Sequence, residues 1–227
     1  MIIAIDGPAG SGKSTIAQAV AERLALTYVD TGAMYRAVTL LALEKGVSLE
    51  DDDALGSLAL EMEIDLSESA QGLPQVRVAG RDVTKAIREP LVSQKVSYVA
   101  AHRKVREALK LRQRGMAETG DVVLEGRDIG TVVCPRADLK VFLTASVGVR
   151  AVRRKRQLEE QGICISAKTL EREILLRDTH DSTRSVAPLR KPRDAIEIDT
   201  TELSIEEVVD RIAAEAVGVG SDGGGSC

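Results

Sequence analysis

Apolar positions fall into two alternating rhythms along this chain. Short, nearly continuous apolar runs occur at Ile2 to Asp6, Thr27 to Val29, Val122 to Glu125, Leu139 to Leu143 and Ala195 to Ile198. Such runs suit strands buried on both faces of a sheet. Between them lie stretches with helical spacing: Thr15 to Leu26, with Ile16, Ala19, Val20 and Leu24 on one stripe, Met34 to Lys45, about Val92 to Glu118, and Ile205 to Val217. This alternation predicts an α/β fold, a five-stranded parallel sheet flanked by helices. Right-handed crossovers put helices on both faces, and ligands bind beyond the carboxyl ends of the strands.

Two stretches break the rhythm. Ile64 to Val83 holds Gly72-Leu73-Pro74, the alternation Val76-Arg77-Val78, and Ala79-Gly80. It reads as a small antiparallel insert with tight turns, spanning 63–85. Val149 to Arg193 is dense in charge, with Arg150, Arg153, Arg154, Lys155 and Arg156 on one helix and a second helix over Ala167 to Asp178. A polar helical excursion after a core strand suits a lid, here 147–185. Asp51, Asp52 and Asp53 read as the start of a helix, where the macrodipole favours acids. One domain over 1–217 is expected, followed by a disordered Gly/Ser-rich tail, 218–227.

Composition narrows the class. The 227 residues are 44% hydrophobic and 29% charged, as in ordinary globular proteins, and no apolar run reaches a membrane span of ~20 residues. Cys134, Cys164 and Cys227 are too scattered for a metal site or a disulfide framework, and His102 and His180 form no ligand pair. A reduced, cytoplasmic, monomeric protein is expected. The net charge of −4, with 2% aromatics and no Trp, argues against nucleic acid as a partner.

The chemistry concentrates in Gly7-Pro8-Ala9-Gly10-Ser11-Gly12-Lys13-Ser14. This fits the phosphate-binding pattern G-x-x-x-x-G-K-[ST], placed between a strand and a helix as it must be. Its glycines allow the backbone to wrap an anion, with Thr15 continuing into the helix whose N-terminus faces it. Lys13 would reach the β/γ-phosphates of ATP, and the Ser14 hydroxyl would sit on Mg²⁺.

Three further clusters bear on what receives the phosphoryl group. They are Asp30-Thr31-Gly32-Ala33-Met34-Tyr35-Arg36, Glu125-Gly126-Arg127-Asp128-Ile129-Gly130-Thr131, and Arg177-Asp178-Thr179-His180-Asp181-Ser182-Thr183-Arg184. With GPAGSGKS, DTGAMYR, SYVAAHRKVREAL, GRDIGTVV and RDTHDSTRSVAPL, the chain from Ile2 to about Val217 resembles the bacterial cytidylate kinases, nucleoside monophosphate kinases of the P-loop class. The resemblance implies transfer of the ATP γ-phosphoryl to CMP or dCMP, and makes 63–85 the acceptor-side insert. It also implies that Arg36 and Arg127 hold the acceptor phosphate, and that Ser97, Arg106 and Asp128 read cytosine. Arg177, Asp181 and Arg184 are implied at ribose and phosphate, and Thr31 near the nucleotide. Lys13, Arg36, Arg127 and Arg184 are then the catalytic set. Glu125 stands where other members carry Asp.

The acceptor is an ionised phosphate oxygen, so no side-chain base is needed, and alignment with charge neutralisation suffices. Simpler readings remain beside these: Asp128 could cap the following turn, Asp181 could be a solvated acid, and Arg150 to Arg156 could be a solvated face with or without one arginine on the ATP phosphates. Other small-molecule kinases share the loop but give no reason for Ser97, Arg106, Asp128 and Asp181 together. A guanine-nucleotide switch would carry N-K-x-D, which is absent from the sequence.

Overall fold

A computed structural model of the protein describes residues 1–68, 74–118, 120–160 and 162–222. In chain order the first elements are β1 (Ile2–Asp6), α1 (Lys13–Leu24), β2 (Thr27–Asp30), α2 (Thr31–Lys45), α3 (Asp52–Glu61), β3 (Ile64–Glu68), β4 (Pro74–Val78) and β5 (Arg81–Asp82). Then come α4 (Pro90–Val99), α5 (Arg103–Glu118), β6 (Val122–Gly126), β7 (Leu139–Thr144), α6 (Val147–Glu159), α7 (Ala167–Thr183), β8 (Ile196–Asp199) and α8 (Ile205–Asp222). A π-helical turn, Ile129–Val133, follows β6.

The chain divides into two compact units, one of Met1–Tyr28 with Ala117 onward and one of Val29–Met116. The five-stranded sheet has the order β2-β6-β1-β7-β8, and all of it but the last two residues of β2 belongs to the first unit. β1 runs parallel to β6 and to β7, and its last residue, Asp6, lies level with Gly126 on one side and Phe142 on the other. The chain therefore leaves β1 at the point where the strand order reverses, which is where α/β sheets open a binding crevice. Ile3, Ile5, Val123, Val141 and Leu143 are buried with Ile16 and Val20 of α1 and Val208 and Ile212 of α8. That layer fixes the height and direction of the β1 carboxyl end.

In the second unit Met34, Val38, Leu55, Ile87, Val96, Val105 and Leu109 close a separate core. The antiparallel sheet β3-β4-β5 belongs here. The insert expected at 63–85 is thus part of a larger unit that also takes in α2 to α5. Its expected turn at Gly72-Leu73 lies outside the described residues.

Helix boundaries correct the sequence reading in three places. The single helix expected over Val92 to Glu118 is two helices. Ala101 and His102 donate to carbonyls only three residues back, and Arg106 N–H restarts the ladder on the His102 carbonyl. The break is held by side chains: His102 Nε2 bonds the Leu49 carbonyl at 2.8 Å and Arg106 Nη1 donates to the Ala100 carbonyl at 3.0 Å. α2 begins at Thr31 rather than Met34, because the Asp30 carboxylate accepts from Ala33 N–H and caps the helix. The tail expected from Gly218 is helical through Asp222, and residues 223–227 lie outside the described residues.

Candidate active site

Gly7 to Ser14 turns from β1 into α1. Gly7 has φ 152°, and a Cβ there would stand 2.1 Å from the Leu143 carbonyl oxygen, so no side chain fits. Gly10 and Gly12 have φ of 77° and 89°, the left-handed region open to glycine. Gly12 caps α1, and the first turn of that helix has no acidic residue to compete with a bound anion. Lys13 folds back across the loop, donating to the Pro8 carbonyl at 2.7 Å and reaching Ser11 Oγ at 3.5 Å. Its ammonium is buried. Burial and the neighbouring Arg127 push its pKa well below the usual lysine value, against the opposing pull of Glu125 and Asp6. Ser14 and Thr15 are exposed on the first turn of α1.

The charged helix α6 packs on this loop. Arg150, buried, donates to the Ala145 carbonyl, to the Ala9 carbonyl at 3.1 Å and to Asp178 Oδ2 at 2.6 Å. Arg153 grips Thr200 through its hydroxyl (2.9 Å) and carbonyl (2.6 Å), and the Thr200 hydroxyl reaches the Ser11 carbonyl at 3.2 Å. Lys155 and Arg156 instead make exposed i,i+4 pairs with Glu159 and Glu160. The run Arg150 to Arg156 is therefore not a uniform solvated face. Arg150 and Arg153 touch the loop or its support, whereas Lys155 and Arg156 pair with acids of their own helix.

A second charged group lies in the same unit. Asp181, near the end of α7, is buried, with Arg127 Nε at 2.9 Å and Arg177 Nε at 4.0 Å. Burial alone would raise its carboxyl, but Arg127, Arg177 and Arg184 outweigh that and hold it below the usual carboxylate range. Arg184 Nη2 stands 3.3 Å from Asp128 Oδ1, both side chains being almost fully buried. The Tyr28 hydroxyl donates to Glu125 Oε1 at 2.5 Å. Asp181 is thus no solvated acid.

In the second unit, Thr31 is buried in the first turn of α2, and Arg36 Nη1 donates to Ser93 Oγ at 2.9 Å. Ser97 and Arg106, both buried, lie on either side of the α4–α5 break. The guanidinium of Arg106 stands over the Tyr35 ring at 5.3 Å, a cation–π arrangement that fixes the plane of its donors.

The model of the family described as cytidylate kinase matches residues 3–217. The chain belongs to the cytidylate kinase family. It is 52% identical over 212 residues to the cytidylate kinase of Bacillus licheniformis, covering 93% of this chain and 94% of that one. It is 55% identical over 210 residues to that of a Geobacillus species, covering 92% and 93%. A gluconokinase structure from Sinorhizobium meliloti aligns with TM-score 0.51 and 16% identity over 97% of this chain and 93% of that one, a likeness of fold alone.

Within this cytidylate kinase family member, Lys13, Arg127, Asp128, Arg177, Asp181 and Arg184 stand in the first unit, and Thr31, Arg36, Ser97 and Arg106 in the second. Asp6, Tyr28, Tyr35, Ser93 and Thr200 join these residues without having been expected at the site. Asp6 had a signal, being a carboxylate ending a buried strand directly before the loop. For Ser93 and Thr200 no local pattern marks the contact. Among the described residues no group of three His, Cys, Asp or Glu could hold a metal ion.

Proposed function

We propose that the protein transfers the γ-phosphoryl group of ATP to CMP or dCMP, giving ADP with CDP or dCDP. The observation that carries this reading is the buried group of Asp181 with Arg127 and Arg177, next to the Asp128–Arg184 pair. Guanidinium groups pinned by carboxylates before any ligand arrives are preorganised for a phosphate and its sugar. Membership of the family supports CMP as the acceptor.

The roles follow from donor and acceptor chemistry. Gly7 to Thr15 wrap the ATP phosphates with backbone N–H groups, and Lys13 moves from the Pro8 carbonyl onto the β/γ-phosphates. Phosphate charge restores the ammonium form that burial opposes. The Ser14 hydroxyl would hold Mg²⁺, which would supply charge neutralisation for the transferring phosphates. Arg36 and Arg127 hold the acceptor phosphate, with Arg184 offsetting charge in the transition state. Asp181 accepts from a ribose hydroxyl, flanked by Arg177 and Arg184, and Thr31 keeps a hydroxyl near the nucleotide. Arg106 donates to cytosine N3 and O2, Asp128 accepts from the amino group, and Ser97 can do either. The acceptor oxygen is already ionised, so alignment and charge supply the catalysis.

Among the described residues no helix is long and apolar enough to cross a membrane. We place the reaction in the cytoplasm, carried out by a monomer without nucleic acid. The test is a coupled assay with ATP and Mg²⁺ against CMP, dCMP, UMP, AMP and GMP. CMP and dCMP should lead, with UMP rejected by up to roughly 10⁴-fold, because buried donors and acceptors would face their like. Equal use of UMP would overturn the base-reading roles, and preference for a non-nucleotide acceptor would overturn the function.

A further inference from the structure

Asp6 has no part in the chemistry above, yet it is among the most buried carboxylates in the protein, 1% exposed. It ends β1 and directly precedes Gly7. Its Oδ1 accepts from Ile129 N–H at 2.9 Å and its Oδ2 from Gly130 N–H at 2.8 Å. These are the opening amides of the π-helical turn, and opening amides of a helical turn have no acceptor within it. Later amides do: Val132 and Val133 donate to the Asp128 carbonyl at 2.9 and 3.2 Å.

Asp128 occupies the capping position of that turn, and Asp is among the residue types that cap best. Its side chain nevertheless makes no capping bond. It is turned to Arg184 instead. The duty a local Asp would ordinarily take is performed by a carboxylate 122 residues earlier in the sequence.

We propose that Asp6 is a positioning residue for the acceptor: by capping Ile129–Val133 from β1, it leaves the Asp128 carboxylate to the nucleotide and fixes the direction of Arg127 and Asp128. The identity of the nucleotide rests on the cytidylate kinase reading, whereas the capping geometry does not. Donor loop and acceptor turn are thereby keyed to one residue, Gly7 following Asp6 along the chain and Ile129 hanging from its side chain. With the cap removed, Asp128 is the side chain placed to take it over, and would do so at the expense of base reading.

The test has two arms. In the ligand-free wild-type protein, hydrogen exchange should be slow at the Ile129 and Gly130 amides, and fast exchange at both would overturn the cap. In Asp6→Asn, one amide keeps an acceptor oxygen while the other meets the –NH₂ group. The ratio of kcat/KM for CMP to that for UMP should fall at least about tenfold. That ratio cancels any loss through Lys13 common to both substrates, and a merely structural role would leave it unmoved. An unchanged ratio in a folded variant overturns the proposal. Should Asp6→Asn fail to fold, the same ratio is measured in Asp6→Glu, which keeps a carboxylate but displaces it by one methylene, and an unchanged ratio there overturns the proposal. Absence of CMP turnover by the wild type would overturn the kinase reading and this acceptor role with it, and slow exchange would then still show the cap.

Discussion

The loop Gly7 to Ser14 and the Asp181–arginine group lie in the same unit, and in the function proposed above they prepare for anions by opposite means. The loop relies on backbone. Its glycines are there because side chains do not fit: a Cβ on Gly7 would meet the Leu143 carbonyl at 2.1 Å, and Gly10 and Gly12 lie at positive φ. The arginine group relies on side chains drawn from two places, Arg127 and Asp128 after β6 and Arg177, Asp181 and Arg184 around the end of α7. There burial and pairing create the site: Asp181 is held ionised in a place that would otherwise favour its neutral form. A backbone site needs eight consecutive residues and little else. A side-chain site needs distant residues, correct burial and balanced charge.

If that contrast is right, the loop should fail in turnover and the arginine group in acceptor binding. Lys13→Ala gives the largest effect, a loss of kcat on the order of 10²- to 10³-fold, because Lys13 meets charge that develops during transfer. KM for CMP should move little, and near-normal turnover would remove the loop from catalysis. Asp181→Ala comes next. It leaves Arg127 and Arg177 partly buried without their carboxylate and should lower stability by about 3 kcal/mol. In the folded fraction, KM for CMP should rise on the order of tenfold while KM for ATP stays near normal. The reverse pattern would move Asp181 to the donor side.

Two buried carboxylates sharpen the comparison through pH. Asp6 is raised from 3.8 to about 6, burial outweighing the two amides that it accepts from. Its native form therefore binds a proton more tightly than the unfolded chain does. Stability from that proton is fully present below about pH 3.8 and is lost as pH rises through about 6, by up to about 3 kcal/mol. Asp181 works in the opposite sense, giving stability above its unfolded pKa that is lost as pH falls through the lower folded value. Thermal melts of wild type and Asp6→Asn should diverge between pH 4 and 7, the variant gaining relative to wild type as pH rises. A constant difference over that range would mean Asp6 is not protonated more readily in the fold.

The same contrast explains what could be read from sequence. β1, β6 and β7 are legible because double-sided burial leaves nearly continuous apolar runs, the edge strands β2 and β8 by their place in the alternation with helices, and the loop because its geometry demands glycine. The cluster at 125–131 is legible as charge beside a strand end and that at 177–184 as the close of a charged helical excursion, but not their pairing: nothing local says that Arg127 meets Asp181 or that Arg184 meets Asp128. The α4–α5 break was hidden because Val99-Ala100-Ala101 has good helix formers, and what ends α4 is Arg106 reaching back to the Ala100 carbonyl. Asp6 is visible as a carboxylate ending a buried strand, but its role is not, its partners being backbone amides 123 and 124 residues away.

The smallest effect concerns Arg106, which combines the two means, its guanidinium held by a backbone carbonyl and by the Tyr35 ring. A ring face 5.3 Å from the guanidinium carbon stabilises it by electrostatics and restricts its plane without altering its charge. Tyr35→Leu keeps an apolar side chain in the core and removes that face, while Tyr35→Phe keeps the face, so the lost hydroxyl is common to both. The Leu variant should use CMP with a KM roughly fivefold above that of the Phe variant, about 1 kcal/mol, with equal KM for ATP. Its preference for CMP over UMP should also weaken, since a donor free to tilt can serve uracil less badly. Identical CMP kinetics in the two variants would show that the Tyr35 ring has no part in orienting Arg106.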